Sequence, residues 1–191
     1  MRILAIGLAA ACALATHANA DDGAQEEARA WAELSEGRAV LLLRHASAPG
    51  IGDPPGFVLN ECGTQRNLND AGKGEARRWG VLLKRKDIAQ PRLLSSRWCR
   101  CLDTGSGMGL TDVEAFPLLD SFFGNSKRHA AQTDELRLFL NEKQSSTPVV
   151  LISHQVNITA LTGIFPQSGE GLILELPITD PVTVLARIPP P

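Results

Sequence analysis

Two short apolar runs stand out in the pattern of hydrophobic and polar positions, and each of them ends in a histidine. Residues 39–43 are followed by Arg44-His45, and residues 149–152 are followed by Ser153-His154. Uninterrupted apolar runs of this length, bounded by turn residues, are typical of strands buried on both faces of a parallel sheet. Because ligand sites in such sheets lie beyond the carboxyl ends of the strands, the two histidines are expected at one site.

Helical periodicity separates these runs from further strands. Apolar residues at helical spacing predict five helices, over residues 24–36, 69–86 with Asn69 as the N-cap, 98–108, 133–143 and 157–163. Additional strands are predicted over residues 92–95, 113–116, 172–176 and 182–188, the last two being antiparallel or at an edge of the sheet. This alternation predicts an α/β fold, a three-layer α/β/α sandwich with a mostly parallel central sheet.

The first 20 residues have the pattern of a secretory signal peptide. Arg2 precedes an apolar stretch over residues 3–15, and Ala18-Asn19-Ala20 is a small-residue cleavage site. The stretch is too short for a stable membrane span. Lipid attachment at Cys12 is the alternative. We therefore expect a single domain over residues 21–191 that is periplasmic or secreted and has no membrane span.

Charge and cysteine content narrow the expected partners. The formal net charge is −2, and no basic cluster indicates a nucleic-acid partner. Cys62, Cys99 and Cys101 lie outside the predicted signal peptide, and an odd number in an oxidising compartment allows one disulfide and one free thiol. Neither a second cysteine pair nor a His-Glu-x-x-His motif is present, so no metal or cofactor is expected.

Basic side chains accompany the two histidines. The strand at residues 92–95 leads through Ser96 to Arg97 and Arg100, which are one helical turn apart. Guanidinium groups match phosphate oxygens with two parallel hydrogen bonds, and a neutral imidazole can attack phosphorus. The chemistry predicts a small phosphorylated substrate as the partner of this site.

Three short motifs, in this order, resemble those of the histidine phosphatase superfamily in its phosphoglycerate mutase-like branch. Arg44-His45-Ala46 resembles the first motif, and residues 95–104 match Ser-Ser-x-x-x-Arg-Ala-x-x-Thr with Cys101 in place of the alanine. The strand that ends at His154 resembles the third. The resemblance implies a phosphoglycerate mutase-like fold across nearly the whole chain after residue 20.

The resemblance also assigns roles to the residues that match. His45 is expected to be the nucleophile that becomes phosphorylated, while Arg44, Arg100 and His154 bind the phosphoryl group. Arg100 falls on the family's catalytic arginine. Arg97 would share the same helical face and is expected to assist in phosphate binding.

The proton donor and the substrate loop match the family less closely. Residues 118–124 are similar to the segment that carries the acid of the mutase-like branch, so Asp120 is expected to protonate the leaving oxygen. Gln155 stands where the acid-phosphatase branch has an aspartate. Ala48 and Ile51 replace the Ser and Asn of the mutases, so their sugar-phosphate contacts are not implied. Five other polar residues of the long loop are within possible reach of substrate, namely Asn60, Thr64, Gln65, Arg66 and Asn67.

The cysteines also gain an interpretation from the resemblance. Cys101 occupies the small buried alanine position, so an inert thiol is expected there. Cys62 lies in the long loop that should cover the same side of the sheet, and we hypothesise a Cys62–Cys99 disulfide that ties this loop to the segment carrying Arg100. Three free thiols, or a Cys62–Cys101 link, are the alternatives.

The expected function is that of a periplasmic phosphomonoesterase that works through a phosphohistidine on His45. Two alternatives remain at this point. The first is a non-catalytic protein that binds a phosphate-containing ligand and kept the pocket, and the second is a metallohydrolase using His45, His154, Asp120 and a cysteine. Phosphorylated sugars, lipopolysaccharide-core phosphates, phosphopeptides and nucleotides are all candidate substrates.

Overall fold

The computed structural model describes residues 10–142 and 146–191, and its centre is a mixed sheet. Within these ranges the sheet has six strands in the order β3-β2-β4-β1-β5-β6. The first four strands in this order are parallel to one another, and β5 and β6 are antiparallel to their neighbours. The strands are β1 (Ala39–Arg44), β2 (Arg92–Ser95), β3 (Val113–Ala115), β4 (Val149–Ser153), β5 (Gly171–Glu175) and β6 (Val184–Ile188).

Helices cover both faces of this sheet. They are α1 (Ala10–Ser35), α2 (Asp70–Arg85), α3 (Cys99–Gly107), α4 (His129–Asn141) and α5 (Gln155–Thr162). Leu41 and Leu43 of β1 belong to the core that the sheet forms with α1, α2 and α3, whereas Val40 and Leu42 belong to the core formed with α4 and α5. The side chains of residues 39–43 are thus each committed to one of two cores, which is why this run is apolar throughout. The predicted three-layer α/β/α sandwich is confirmed.

The predicted elements are present, and most of them differ from the prediction in their boundaries. Asn69 caps α2 as predicted, its side chain accepting a hydrogen bond from the Gly72 N–H. The helix α4 begins at His129 rather than Thr133, and α5 begins at Gln155 rather than Asn157. These helices start earlier because hydrophobic periodicity marks only the buried turns of a helix.

The N-terminal prediction concerns residues 1–20, of which the first nine lie outside the described residues. Residues 10–20 form the first part of α1. Cleavage and export therefore stay predictions. In the ranges that the structure describes, no helix is both long enough and apolar enough to cross a membrane.

The parallel pairing of β1 with β4 determines where the site forms. Arg44 pairs in register with Ser153, so the next residue of each strand, His45 and His154, emerges at the same edge of the sheet. The His45 N–H donates to the Ser153 carbonyl at 3.0 Å. The two histidines are 109 positions apart in the chain but adjacent in the fold.

A close backbone approach fixes the loop that leaves β1. At Gly72, in the first turn of α2, a Cβ atom would lie 2.1 Å from the Ser47 carbonyl oxygen. Only glycine allows α2 to approach this loop so closely. Glycine at this position lowers the helix propensity of α2. In return, it lets α2 pack against the segment that follows His45.

Candidate active site

The nucleophile predicted from the sequence, His45, is buried at the end of β1 with its ring held in one orientation. Its Nδ1 lies 2.8 Å from the Ala46 carbonyl oxygen, which can only accept a hydrogen bond. Nδ1 therefore carries the proton, and Nε2 keeps its lone pair. Burial lowers the pKa of His45 to about 3, and the positive charges of Arg100, Arg66 and Arg44 act in the same direction. The imidazole is neutral and able to attack at working pH.

The second histidine, His154, is held by polar groups on both ring nitrogens. Nδ1 lies 3.4 Å from Nη2 of Arg100, and Nε2 lies 2.8 Å from the Ser96 hydroxyl. Because a guanidinium only donates, Nδ1 accepts and Nε2–H donates to Ser96. Burial, followed by the nearby His45 and Arg100, lowers the pKa of His154 well below its usual value. The ring centroids of the two histidines are 5.5 Å apart.

Three guanidinium groups line the cavity of about 450 Å³ that contains both histidines. Arg44 and Arg100 were predicted as phosphate ligands, and both line the cavity. Arg66 is the third, and the sequence placed it only among the loop residues within possible reach. Its Nε donates to the Gly52 carbonyl and its Nη1 donates to the Ala48 carbonyl. Three positive charges with two neutral imidazoles form a setting suited to a dianion.

Asp53, which sequence reasoning missed, is the carboxylate in the cavity lining. Its Oδ1 accepts hydrogen bonds from Nη1 of Arg100 at 2.8 Å and from the Arg66 N–H at 3.0 Å. Its Oδ2 accepts one from Nε1 of Trp98 at 3.0 Å. Burial raises the pKa of Asp53, but the hydrogen bonds from Arg100 and Arg66 outweigh that effect and lower it below its usual value. Asp53 therefore stays ionised and orients Arg100 rather than donating a proton.

The structure places Asp120 and Arg97 differently from the prediction. Asp120 is 1% exposed and does not line the cavity. Its carboxylate accepts hydrogen bonds from the Arg97 N–H at 2.9 Å, from Nε at 2.8 Å and from Nη2 at 2.5 Å. Its Oδ1 also lies 3.5 Å from the Ser96 hydroxyl, which contacts His154. The carboxylate is thus engaged by Arg97 and outside the cavity lining, so the structure does not show the contact with substrate that a proton donor needs. Arg97 is likewise engaged by Asp120 and is not part of the cavity lining.

The geometry of Asp120 favours a structural role over the proton-donor role predicted from the sequence, and a variant tests the two against each other. We expect Asp120→Asn to lower the free energy of unfolding by about 1–3 kcal/mol, because a buried charged acceptor is replaced by a neutral one. Activity on alkyl and aryl phosphates should fall by the same factor. Chemical denaturation and paired kinetics measure both effects. A loss on alkyl esters about 100-fold greater than on aryl esters would restore Asp120 as the proton donor.

Other polar residues, including two further acidic side chains, also lie outside the cavity. Glu61 is exposed, and Glu114 forms a surface ion pair with Arg92. Four loop residues, Asn60, Thr64, Gln65 and Asn67, do not line the cavity. Gln65 instead accepts the Cys99 N–H on its side-chain oxygen at 3.0 Å, which ties the loop to the start of α3.

Thr104, the last residue of the second motif, connects two parts of the site. Its hydroxyl donates to the Arg100 carbonyl at 2.6 Å and accepts the Ala46 N–H at 3.0 Å. The hydroxyl therefore fixes the backbone beside His45 relative to the helix that carries Arg100. This contact gives the motif threonine a positioning role.

The hypothesised Cys62–Cys99 disulfide is present in the structure. The two Cα atoms are 5.6 Å apart, and Cys101 is a buried free thiol, as predicted. Burial raises the pKa of Cys101 to about 12, so its thiol is uncharged. The disulfide fastens the loop that carries Asp53 and Arg66 to the first residue of α3.

We expect the disulfide to stabilise the fold and the loop together. Closing a loop of 37 residues contributes about 4 kcal/mol on the chain-entropy description. The Cys62→Ser/Cys99→Ser double variant should lose up to this amount, and its loop should become protease-sensitive before the sheet unfolds. Peptide mapping without reduction checks the pairing. Recovery of three alkylated cysteines would contradict it.

Solved structures of phosphatases share this architecture. A protein from Agrobacterium tumefaciens described as the phosphohistidine phosphatase SixA is 19% identical to this chain. It superposes with a TM-score of 0.56 over 81% of this chain and 99% of that one. The protein histidine phosphatase SixA complexed with tungstate is 20% identical, with a TM-score of 0.56 over 80% and 97%. A mycobacterial glucosyl-3-phosphoglycerate phosphatase complexed with VO₃ is 15% identical, with a TM-score of 0.51 over 72% and 92%.

The fold is that of the histidine phosphatases. No family profile matches the chain, and no curated protein matches it in sequence. The resemblance found in three short motifs is thus confirmed at the level of the fold by solved structures that share at most 20% of its residues.

The side chains of the predicted metallohydrolase alternative are not assembled as a metal site. Asp120 is bound to Arg97, and Cys99 is in the disulfide. In the described part of the chain, no three side chains of His, Cys, Asp or Glu converge as metal ligands do.

Proposed function

We propose that the protein is an exported phosphomonoesterase that transfers the phosphoryl group of its substrate to Nε2 of His45 and then to water. The observation that carries the proposal is the state of His45. Its ring is neutral and its proton is held on Nδ1 by the Ala46 carbonyl, so Nε2 is the nucleophile. The nucleophile lies in a cavity lined by three guanidinium groups.

The arginines supply the electrostatic part of the reaction. Nε of Arg44 and Nε of Arg100 are buried and have no hydrogen-bond partner among the described residues. Phosphate oxygens are the acceptors that such donors match. Preorganised positive charge also stabilises the equatorial oxygens as the phosphoryl group passes from the substrate oxygen to His45.

The hydrolytic half of the cycle uses the same groups. Water attacks phosphorus, the P–N bond to His45 breaks, and the electron pair returns to Nε2, so the imidazole is regenerated neutral. The proton of the attacking water leaves with phosphate or solvent. His154 contacts Arg100 and keeps this cation directed toward the phosphoryl position.

Protonation of the leaving oxygen is the step that the side chains of the described cavity support least. Asp53 is ionised and fully hydrogen-bonded, and Asp120 is outside the lining. We therefore infer that the enzyme acts best on substrates whose leaving group departs with little protonation. Rates should rise steeply as the leaving-group pKa falls.

A binding protein without turnover and a metallohydrolase are the competing functions, and one experiment separates the three. The purified protein is assayed with 4-nitrophenyl phosphate, alkyl phosphates and a phosphohistidine peptide, with and without EDTA and vanadate. We expect turnover that EDTA leaves unchanged and that vanadate inhibits, because vanadate adopts the trigonal-bipyramidal geometry of the transition state. Loss in EDTA with recovery in zinc would favour the metallohydrolase. Phosphate binding without any turnover would favour the binding protein.

A further inference from the structure

The outer part of the cavity differs in chemistry from the part around the histidines. Four large apolar side chains, which we call the apolar rim, line its mouth, namely Ile51, Phe57, Phe123 and Phe165. Seven large apolar side chains are exposed among the described residues, and these four are among them. Ile51 is 91% exposed, Phe165 is 68% exposed and Phe123 is 61% exposed. Clustered exposure of this kind marks a binding surface.

Trp98 joins the apolar rim to the catalytic groups. Its ring centroid is 5.4 Å from that of His154 and 5.8 Å from that of Phe57. The hydrogen bond from its Nε1 to Asp53 holds the indole in place. A phosphoryl group at His45 would therefore have its leaving group beside Trp98 and below the rim.

The same region offers few partners to a polar leaving group. Outside the arginines, the histidines and Asp53, the polar side chains of the lining are Ser121 and Gln155. The Gln155 amide already donates to Thr159 at 2.9 Å. Beside the apolar rim, the hydroxyl groups of a sugar would leave water without finding enough hydrogen bonds in return. The volume of about 450 Å³ is within the range of sites for drug-sized ligands, so it accommodates much more than a phosphate.

We propose that the substrate of this site is a phosphate monoester whose leaving group is bulky and apolar. The proposal rests on the proposed phosphatase function and adds a substrate class to it. The arginines and histidines bind the phosphate, and Trp98 with the apolar rim binds the apolar group. The rim thus determines specificity, whereas the chemistry occurs at His45.

A series of phenyl phosphates tests this proposal without changing the leaving-group acidity. The 4-methyl, 4-propyl and 4-pentyl compounds have nearly the same phenol pKa but differ in apolar area, and the 4-(2-hydroxyethyl) compound is the polar control. Each buried methylene group raises kcat/KM by up to about fourfold. We expect the pentyl compound to exceed the methyl compound by about tenfold or more, and the hydroxyethyl compound to be no better than methyl.

Variants connect the preference to the apolar rim. We expect Phe123→Ala and Phe165→Ala each to lower kcat/KM for the pentyl compound about fivefold to tenfold, with a smaller loss for the methyl compound. Leu138→Ala is the matched control, because Leu138 is 62% exposed on α4 and does not line the cavity. It should leave the whole series unchanged.

Binding of unreactive analogues separates failure of this inference from failure of the phosphatase proposal. The dissociation constants of 4-methyl- and 4-pentylbenzylphosphonate are measured by calorimetry on the same protein, expressed in an exporting host. Turnover with a flat series overturns the apolar preference and leaves the phosphatase proposal intact. Tighter pentyl binding without turnover supports the apolar preference and overturns the phosphatase proposal. No turnover and equal phosphonate affinities overturn both.

Discussion

His45→Asn is expected to remove activity almost entirely, by roughly 10⁴- to 10⁶-fold, which is the range for loss of a catalytic nucleophile. The amide of asparagine can take the place of Nδ1–H and donate to the Ala46 carbonyl, so the hydrogen bond beside the nucleophile survives. Nothing replaces Nε2. A reaction with labelled substrate, quenched and held at neutral or alkaline pH, should trap an acid-labile phosphoryl group on wild type and none on the variant.

The matched control for this change is His129→Asn. His129 is exposed at the start of α4, where its ring contacts Phe122. The control should retain wild-type activity and the trapped phosphoryl group. Activity in His45→Asn within tenfold of wild type would contradict the phosphohistidine mechanism, whatever the result of the control.

The same variant changes the dependence of stability on pH. Because the pKa of His45 is about 3 in the folded protein and about 6.5 in an unfolded chain, the unfolded state binds more protons between these values. The free energy of unfolding therefore falls as the pH decreases from about 6.5. His45→Asn should reduce this slope, and His154 should account for part of the slope that is left. Denaturation at a series of pH values measures it.

The positions of both histidines and of Arg44 followed from the sequence because they depend on strand ends. An apolar run buried on both faces has few alternatives to a central parallel strand, and polar residues directly after it must lie at the carboxyl edge. The parallel register between β1 and β4 then places His45 next to His154. Arg100 followed from its place in the first turn of α3.

The surroundings of Asp53 and Asp120 could not be predicted from the sequence, because periodicity sets neither position. Asp53 lies in an irregular loop whose path depends on glycines of positive φ at Gly50, Gly52 and Gly56 and on the disulfide at Cys62. Asp120 lies in a segment that resembles the one carrying the family's acid, but its carboxylate binds Arg97 and does not line the cavity. A local sequence pattern predicts which type of side chain occupies a position, but not which residue that side chain contacts.

The apolar rim also depends on tertiary structure. Ile51 and Phe57 belong to the long loop, Phe123 follows the segment of Asp120, and Phe165 follows α5. These residues are spread over more than 100 positions of the chain, and each alone is an ordinary exposed hydrophobic residue. Only the assembled fold shows that they surround one opening.

Asp53→Asn is expected to separate catalysis from binding, which identifies Asp53 as a positioning residue. Asp53 is the buried partner of Arg100, with the two side chains 8% and 3% exposed. Its loss releases Arg100 from one orientation, and a misplacement of about 1 Å in an active site lowers kcat about 100-fold. Removing a negative charge beside three arginines leaves phosphate affinity unchanged or makes it stronger. We therefore expect kcat to fall about 100-fold while the dissociation constant of inorganic phosphate does not rise.

Stability provides the second readout for Asp53→Asn. Loss of charge-assisted hydrogen bonds from Arg100 and Arg66 should lower the free energy of unfolding by about 1.5–3 kcal/mol at pH 7. The folded-state pKa of Asp53 is lowered, so this contribution is present above its unfolded pKa of about 3.9 and is lost as the pH falls through the folded value. The difference between wild type and variant should therefore shrink below about pH 4. Asp112→Asn, at an exposed position just before β3, is the matched control and should change neither kcat nor stability. A weaker phosphate affinity with unchanged kcat would show that Asp53 serves binding alone, and the positioning role would be wrong.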